Sequence, residues 1–303
     1  MSLKIVFMGT PEFSVPALEG LIQNKFNVIK VYTQPPQKSK RGQKINNSPI
    51  AETSIKNKID ILNPYKLNTE EEFKIFKELH PDIVLVVAYG QIIPKNYLAI
   101  PKFGFINIHA SLLPRWRGAA PIQRAIMNRD KTIGVSIMKI EEKLDSGPVL
   151  LSEKIELDKN DTHGEVEKKL SIMGANLLIK SLKLDNFKFT DQKHSDATYA
   201  KKISKNETKI NWNMDASKVL AHINGLSPNP GSWFQYKKER FKVLKAEISK
   251  TRGKPGLVLD ENLTIGCKLN SIKILELQRQ GKNKKTTKEF LLGKKISTGQ
   301  TLS

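Results

Sequence analysis

The feature that most constrains the fold is a series of short apolar runs in the first half of the chain. The run Ile83–Ala88 is apolar at every position, which predicts a strand covered on both faces. Similar runs occupy residues 4–8, 27–32 and 103–109, and segments long enough for helices separate them. This alternation predicts an α/β fold with a Rossmann-like, doubly wound, mostly parallel sheet.

The pattern changes toward the middle of the chain. Residues 121–128 predict a helix with proline in its first turn, and residues 161–183 predict a longer amphipathic helix. Between them, residues 135–140 and 149–155 are typical of two antiparallel strands joined by a turn. The first domain is therefore expected to extend over residues 1–184.

A second domain is expected after a polar, lysine-rich linker over residues 185–207. Residues 208–303 begin with a short predicted helix and continue with short β-like runs between Gly, Asn and Asp residues. Such spacing predicts a small OB-like β-barrel. The runs lie at residues 232–236, 241–248, 256–259, 263–267 and 271–277.

The net charge of +21 indicates a polyanionic partner, with nucleic acid the leading candidate. Residues 206–303 hold 19 Lys and Arg against 8 Asp and Glu, so this stretch alone contributes +11. Two alternatives stay open: a lysine-rich bias of the whole proteome, and a structural domain with a solvated lysine face.

Several classes of protein and site are excluded by what the sequence lacks. No apolar run reaches the length of a membrane span, and the N-terminus is typical of a first strand, so a cytoplasmic protein without membrane contact is expected. The single cysteine, Cys267, leaves no internal disulfide. The histidines show no ligand spacing, so no metal is expected. The turn after Gly9 lacks Gly-x-Gly-x-x-Gly and no P-loop is present, which argues against NAD and ATP.

Candidate chemistry lies at the end of the run 103–109. Asn107 and His109 alternate and therefore share one face of the predicted strand, where open α/β sheets carry their sites. An amide and an imidazole suit acyl transfer, which needs a donor for an oxyanion and a group that moves or holds a proton. Asp145, in the predicted turn, is either a turn aspartate or a carboxylate that orients His109.

The surrounding residues carry a family resemblance. The run Asn107-Ile-His109-Ala-Ser-Leu-Leu-Pro-Arg-Trp-Arg-Gly118-Ala-Ala-Pro-Ile, together with Asp145-Ser-Gly147, closely resembles the formyltransferases that use 10-formyltetrahydrofolate. The resemblance covers nearly the whole chain. It also includes the segments at residues 7–13, 33–35, 88–91 and 278–282.

The resemblance implies an enzyme that transfers a formyl group from 10-formyltetrahydrofolate, a co-substrate, to the methionine of charged initiator tRNA. Asn107 and His109 would donate hydrogen bonds to the oxyanion, and Asp145 would hold His109 and assist proton transfer. The amine itself is the nucleophile, so no serine or cysteine nucleophile is needed.

The resemblance also implies binding residues. The folate would lie against Ser111, Leu112, Leu113 and Pro114 and near Tyr89, Gln91 and Ile93. The cationic segment 36–44 resembles a loop that enters the tRNA acceptor stem, although it could be a solvated loop without tRNA. Its candidate tRNA contacts are Lys38, Lys40, Arg41 and Lys44, with Arg41 foremost.

Two positions of the sequence depart from the pattern of the family. Asn224 and Asn229 stand where the family usually has an arginine and a tryptophan, which puts tRNA contacts there in doubt.

Two other functions compete with this one. One alternative is a formyltransferase for an amino-sugar nucleotide or glycinamide ribonucleotide, which needs no basic barrel. The other is a non-catalytic RNA-binding relative, which needs no Asn107, His109 and Asp145. A monomer is expected, since two domains of one chain can hold one polyanion.

Overall fold

The computed structural model describes residues 3–39, 44–293 and 296–303. The chain forms two compact units. The first comprises Met1–Gly118, Gly134–Ile155 and Glu167–Tyr199, and the second comprises Ala119–Ile133, Glu156–Val166 and Ala200–Ser303. The domain limits at residues 184 and 208 stay predictions.

The described residues form sixteen strands and eight α-helices. The helices are α1 (Val15–Gln23), α2 (Pro49–Lys56), α3 (Glu70–Glu78), α4 (Lys95–Leu98), α5 (Pro121–Met127), α6 (His163–Leu182), α7 (Ala216–Leu226) and α8 (Thr287–Gly293). The strands are β1 (Ile5–Gly9), β2 (Val28–Tyr32), β3 (Gln37–Ser39), β4 (Lys44–Asn46), β5 (Ile61–Leu62), β6 (Ile83–Val87), β7 (Phe105–His109), β8 (Arg117–Gly118), β9 (Thr132–Lys139), β10 (Val149–Glu156), β11 (Tyr199–Ala200), β12 (Ser232–Tyr236), β13 (Glu239–Ser249), β14 (Thr264–Gly266), β15 (Ser271–Arg279) and β16 (Lys284–Thr286).

The first unit is built on a seven-stranded sheet in the order β10-β9-β7-β6-β1-β2-β5. The pairs β1–β2, β1–β6, β2–β5 and β6–β7 are parallel, and β7–β9 is antiparallel. Strands β1 and β6 are buried at every position, as their unbroken apolar sequences require. The predicted Rossmann-like, mostly parallel sheet is confirmed.

Local sequence explains where the helices of this unit begin. The Ser48 hydroxyl accepts a hydrogen bond from the Ala51 amide at 3.0 Å, and Pro49 follows it at the start of α2. The Thr69 hydroxyl accepts in the same way from the Glu72 amide at 3.2 Å, ahead of α3. Each cap therefore satisfies an amide that the helix itself leaves without a partner.

The second unit contains an antiparallel sheet in the order β12-β13-β15-β14, with β16 added to β15. The sheet curls into a half-barrel over a core that includes Phe234, Phe241 and Ile272, which confirms the predicted OB-like barrel. The strand predicted over residues 256–259 is wrong. Gly256 has a φ of +79°, which breaks the pleat, and this stretch forms only isolated bridges.

Within the described ranges 3–39, 44–293 and 296–303, no helix is both long and apolar enough to span a membrane.

Candidate active site

Strand β7 carries the predicted amide and imidazole. Asn107 and His109 are two residues apart in this strand, so both side chains project from the same face. His109 is the last residue of β7 and lies opposite Ser136 of the antiparallel strand β9. The pair thus lies at the carboxyl end of β7, next to the carboxyl ends of the parallel strands.

The imidazole of His109 is 5% exposed and lies between a carbonyl and a carboxylate. Its Nε2 is 3.0 Å from the Trp116 carbonyl oxygen, and its Nδ1 is 3.8 Å from Asp145 Oδ2. A carbonyl oxygen only accepts, so Nε2 carries the hydrogen of this bond. The Nδ1 edge of His109 therefore faces the Asp145 carboxylate.

Asp145 lies in the connection between β9 and β10 and has a φ of 46°, in the left-handed region. Its Oδ2 accepts a hydrogen bond of 2.7 Å from the Gly118 amide. The turn continues through Gly147, where a Cβ atom would meet the Lys139 carbonyl oxygen at 2.0 Å, so only glycine fits. The structure thus brings Asp145 and His109 together across a long stretch of sequence.

The side-chain amide of Asn107 is available to a ligand, unlike the side chains of His109 and Asp145, which already contact other groups. The side chain is partly exposed, and its amide makes no hydrogen bond within the described ranges of the chain. An amide held on a buried strand is a fixed donor for a substrate oxygen.

Comparison of the sequence with known proteins assigns the chain to a family. The family model described as formyl transferase matches residues 3–182, and the model of the formyl transferase C-terminal domain matches residues 202–295. The chain belongs to the formyl transferase family. This formyltransferase is 49% identical to the methionyl-tRNA formyltransferase of Pelagibacter ubique over 308 residues, covering 100% of this chain and 99% of the relative.

Two solved structures support the fold of this formyltransferase. The methionyl-tRNA formyltransferase from Clostridium thermocellum aligns with a TM-score of 0.61 and 19% identity, covering 82% of this chain and 95% of that one. HypX from Aquifex aeolicus in complex with tetrahydrofolic acid aligns with a TM-score of 0.66 and 16% identity, covering 99% of this chain and 51% of that one. The predicted enzyme class, a formyltransferase, is confirmed.

The loop after β7 is shaped by its own hydroxyl groups. Ser111 is fully buried, and its Oγ donates to the Arg115 carbonyl at 2.6 Å. Ser136 Oγ donates to the Ser111 carbonyl at 2.8 Å and accepts from the Leu113 amide at 3.2 Å. Leu112 packs against Gly134, where a Cβ would meet its side chain at 2.6 Å. Folate contacts of Ser111, Leu112, Leu113 and Pro114 stay predictions.

The other three predicted folate residues lie after β6. The Tyr89 side chain is 2% exposed, and its carbonyl accepts from Thr10 Oγ1 at 2.8 Å. The Gln91 amide donates to the Pro64 carbonyl at 2.9 Å and accepts from the Leu67 amide at 3.2 Å. Ile93 packs against the core. The side chains of Tyr89 and Gln91 thus already have structural roles, and their folate contacts stay predictions.

Two site-forming residues were missed by the sequence reasoning. The buried guanidinium of Arg117 and the buried amide of Gln192 bond to each other next to the Asp145 turn. Arg117 lies within the motif that carried the resemblance, whereas Gln192 lies in the predicted linker. Nothing in the local sequence of Gln192 signals such a position.

The predicted tRNA contacts lie in the segment that contains β3 and β4. The backbones of Lys38 and Lys44 belong to these paired strands, while Lys40 and Arg41 lie outside the described residues. Of the two departures from the family, Asn224 is 2% exposed and donates to the Lys159 carbonyl at 3.1 Å, and Asn229 is exposed. Asn224 therefore stabilises the second unit from inside.

Metal ligands and the single thiol are the remaining candidates for site chemistry. In the part of the chain that the structure describes, no group of three His, Cys, Asp or Glu side chains could hold a metal ion. Cys267 is buried, and desolvation raises the pKa of its thiol to about 12. A thiol with this pKa is protonated at neutral pH and is a poor nucleophile.

Proposed function

We propose that this formyltransferase transfers the formyl group of 10-formyltetrahydrofolate to the α-amino group of methionine on charged initiator tRNA, for the initiation of protein synthesis. The observation that carries the proposal is 49% identity, over the full length of both chains, to a methionyl-tRNA formyltransferase. The site agrees with it, because Asn107, His109 and Asp145 supply an oxyanion donor and a paired imidazole.

The proposed reaction begins with the neutral α-amine. An α-amino group has a pKa of about 7.7–8.0 in model compounds, so a neutral fraction exists at neutral pH. The amine nitrogen bonds to the formyl carbon, and the formyl oxygen becomes negative. We assign the stabilisation of this oxygen to the uncommitted amide of Asn107, since removing one such donor costs about 100- to 1,000-fold in rate.

The reaction then needs one proton to move. The attacking amine loses a proton, the bond from the formyl carbon to the folate nitrogen breaks, and that nitrogen gains a proton. His109, facing Asp145 across 3.8 Å, is placed to hold this proton in transit as an imidazolium. To donate a hydrogen bond to the oxyanion as well, Nε2 of His109 must release the Trp116 carbonyl oxygen and bind the substrate oxygen instead.

The partners follow from the same proposal. We assign the folate to the carboxyl edge of the sheet near the loops after β6 and β7, where ligands of open α/β sheets bind. The excess of cations, +21 in the chain, suits a tRNA partner. We further propose a monomer that acts in the cytoplasm.

The deciding experiment measures formyl transfer from 10-formyltetrahydrofolate to charged initiator tRNA. Free methionine, a charged elongator tRNA and an amino-sugar nucleotide serve as parallel substrates. Formylated initiator tRNA as the main product is expected. Product on the amino sugar alone would replace the proposal with the sugar formyltransferase alternative, and tRNA binding without any formylation would favour the non-catalytic one.

A further inference from the structure

The side chain of Gln192 makes four hydrogen bonds, although the residue is only 7% exposed. Its Oε1 accepts from Nε and Nη2 of Arg117, at 3.0 and 2.7 Å. Its Nε2 donates to the carbonyl oxygens of Asp145 and Gly147, at 2.9 and 2.6 Å. This single amide therefore joins β8 to the turn that carries the Asp145 carboxylate.

Arg117 and Gln192 are both linked through the backbone to the pair His109 and Asp145. Arg117 lies between Trp116, whose carbonyl binds His109 Nε2, and Gly118, whose amide binds Asp145 Oδ2. Gln192 holds the other side, because it bonds the carbonyl of Asp145 itself. The amide thus fixes the backbone that sets the separation of 3.8 Å between imidazole and carboxylate.

The turn needs such a restraint. Asp145 has a φ of 46°, a left-handed conformation that is unfavourable for a non-glycine residue and persists only where the surroundings hold it. The Gln192 amide holds two consecutive parts of this turn, the carbonyls on either side of Ser146. Without the amide, these carbonyls lose their donor and the left-handed turn loses a restraint.

We propose that Gln192 is a positioning residue for formyl transfer, acting through the turn Asp145–Gly147 on the orientation of the Asp145 carboxylate toward His109. The inference rests on the proposed function and extends it to a residue that touches no substrate. Only a side chain with an acceptor on one side and a donor on the other satisfies both neighbours. Arg117 can only donate and the two carbonyls can only accept.

The requirement for both halves of the amide gives a sharp test. Gln192→Glu keeps an acceptor for Arg117 but turns an acceptor toward the carbonyls of Asp145 and Gly147. Gln192→Met keeps the length and removes all four hydrogen bonds. Asp191→Asn, at the exposed neighbouring position, is the matched control.

We expect both Gln192 variants to lower kcat for tRNA formylation by about 10- to 100-fold, as small misplacements of reacting groups do, with KM for both substrates within about threefold. The control should match the wild type. Full activity of Gln192→Glu would overturn the proposal, since Gln192 would then only bind Arg117. If Gln192→Glu does not fold, Gln192→Met carries the same expectation and decides the question.

A double-mutant cycle with Asp145→Asn separates positioning from simple loss of stability. If Gln192 acts through Asp145, the double variant should be about as slow as Asp145→Asn alone, because coupled residues are not additive. Effects that multiply would contradict the inference. An inactive wild type would instead contradict the proposed function, and the two failures are therefore distinguishable.

Discussion

At the scale of single residues, the hydrogen on Nε2 of His109 decides what the imidazole can do. Nε2 donates this hydrogen to the Trp116 carbonyl oxygen, 3.0 Å away, which leaves Nδ1 as the atom that faces Asp145. A proton that His109 takes up in the proposed reaction would therefore lie on the edge of the ring that faces the Asp145 carboxylate.

Replacing this imidazole should slow the chemical step. We expect His109→Asn to lower kcat by about 100- to 1,000-fold, because the variant lacks the proposed proton carrier. Affinity for tRNA should stay within about twofold, since the residue is buried away from a polyanion's reach. His80→Asn is the control, because His80 is exposed and also has a positive φ, 45°, which asparagine tolerates. Single-turnover rates and tRNA-binding curves measure both effects, and a fast His109→Asn enzyme would contradict the assignment.

Gly147 offers a second prediction at this scale. Gly147→Ala would place a Cβ at 2.0 Å from the Lys139 carbonyl oxygen, so the turn must move. We expect a loss of about 1–3 kcal/mol in the free energy of unfolding, as overpacking usually costs, together with reduced activity. Gly293→Ala is the matched control, because among the described residues no side chain and no backbone from outside its own helix lies within 4 Å of the added Cβ. Denaturant unfolding of both variants makes the comparison, and equal stability would show that the turn has room.

At the scale of elements, the sequence pattern predicted most strands and helices of both units, with limits that shifted by one to three residues. The strand predicted over residues 4–8 is β1, Ile5–Gly9, and the helix predicted over residues 121–128 is α5, Pro121–Met127. Strands with unbroken apolar sequence were predictable because burial on both faces demands it. The short pair β3 and β4 was not predictable because its sequences are mostly polar, and the seven residues of α8 are too few to show a helical period.

One contact inside the second unit predicts a pH dependence. The Arg124 guanidinium of α5 binds the Glu207 carboxylate and, together with the backbone amide of Ser204, lowers the pKa of Glu207 from its usual range to about 2. A carboxylate with a lowered folded-state pKa stabilises the fold above the unfolded pKa, and this contribution is lost as the pH falls toward the folded value.

We therefore expect Glu207→Gln to be less stable than the wild type at pH 7. The difference in the free energy of unfolding should shrink as the pH falls from about 4.5 toward about 2, where the wild-type carboxyl becomes neutral as well. Glu261→Gln, at an exposed position of the same unit, controls for the loss of one negative charge. Urea unfolding across this pH range provides the measurement, and a difference independent of pH would point to packing and not to charge.

At the scale of the whole molecule, the net charge bears on the proposed tRNA partner. The chain carries +21, and residues 206–303 account for +11 of it. If tRNA is the substrate, neutralised phosphates release counterions, so affinity should fall steeply and linearly on a log–log plot against salt. Binding of initiator tRNA measured between about 50 and 200 mM salt should then lose several orders of magnitude if about six to ten phosphates are contacted. Affinity independent of salt would contradict a basic tRNA-binding surface.

The proposed loop contact can be separated from this general effect. Arg41→Ala should weaken tRNA binding and reduce the salt slope by about 1, the contribution of one phosphate contact. Lys74→Ala on the exposed face of α3 removes the same charge and is the control. Equal loss in both variants would mean that Arg41 contributes only net charge.

The catalytic candidates themselves were predictable because they lie in two short motifs of the sequence, one with Asn107 and His109 and one with Asp145. Asn107 and His109 alternate on a strand, and Asp145 follows in a turn typical of aspartate, but the family resemblance of the surrounding motifs was needed to name all three. Their separation was not predictable, since it depends on a left-handed turn and on the Trp116 carbonyl.

The amino-acid sequence by itself determined the parallel sheet, the basic barrel and the three candidate catalytic residues, because periodicity, charge and short motifs are local properties of a chain. Only the tertiary structure decided which groups hold the candidate catalytic residues in position. Gln192 comes from a polar stretch without periodicity, yet its amide bonds Arg117 on one side and the Asp145 turn on the other. Such a role depends on donors and acceptors that are distant in sequence and meet only when the chain is folded, since a buried polar group must find partners wherever they lie.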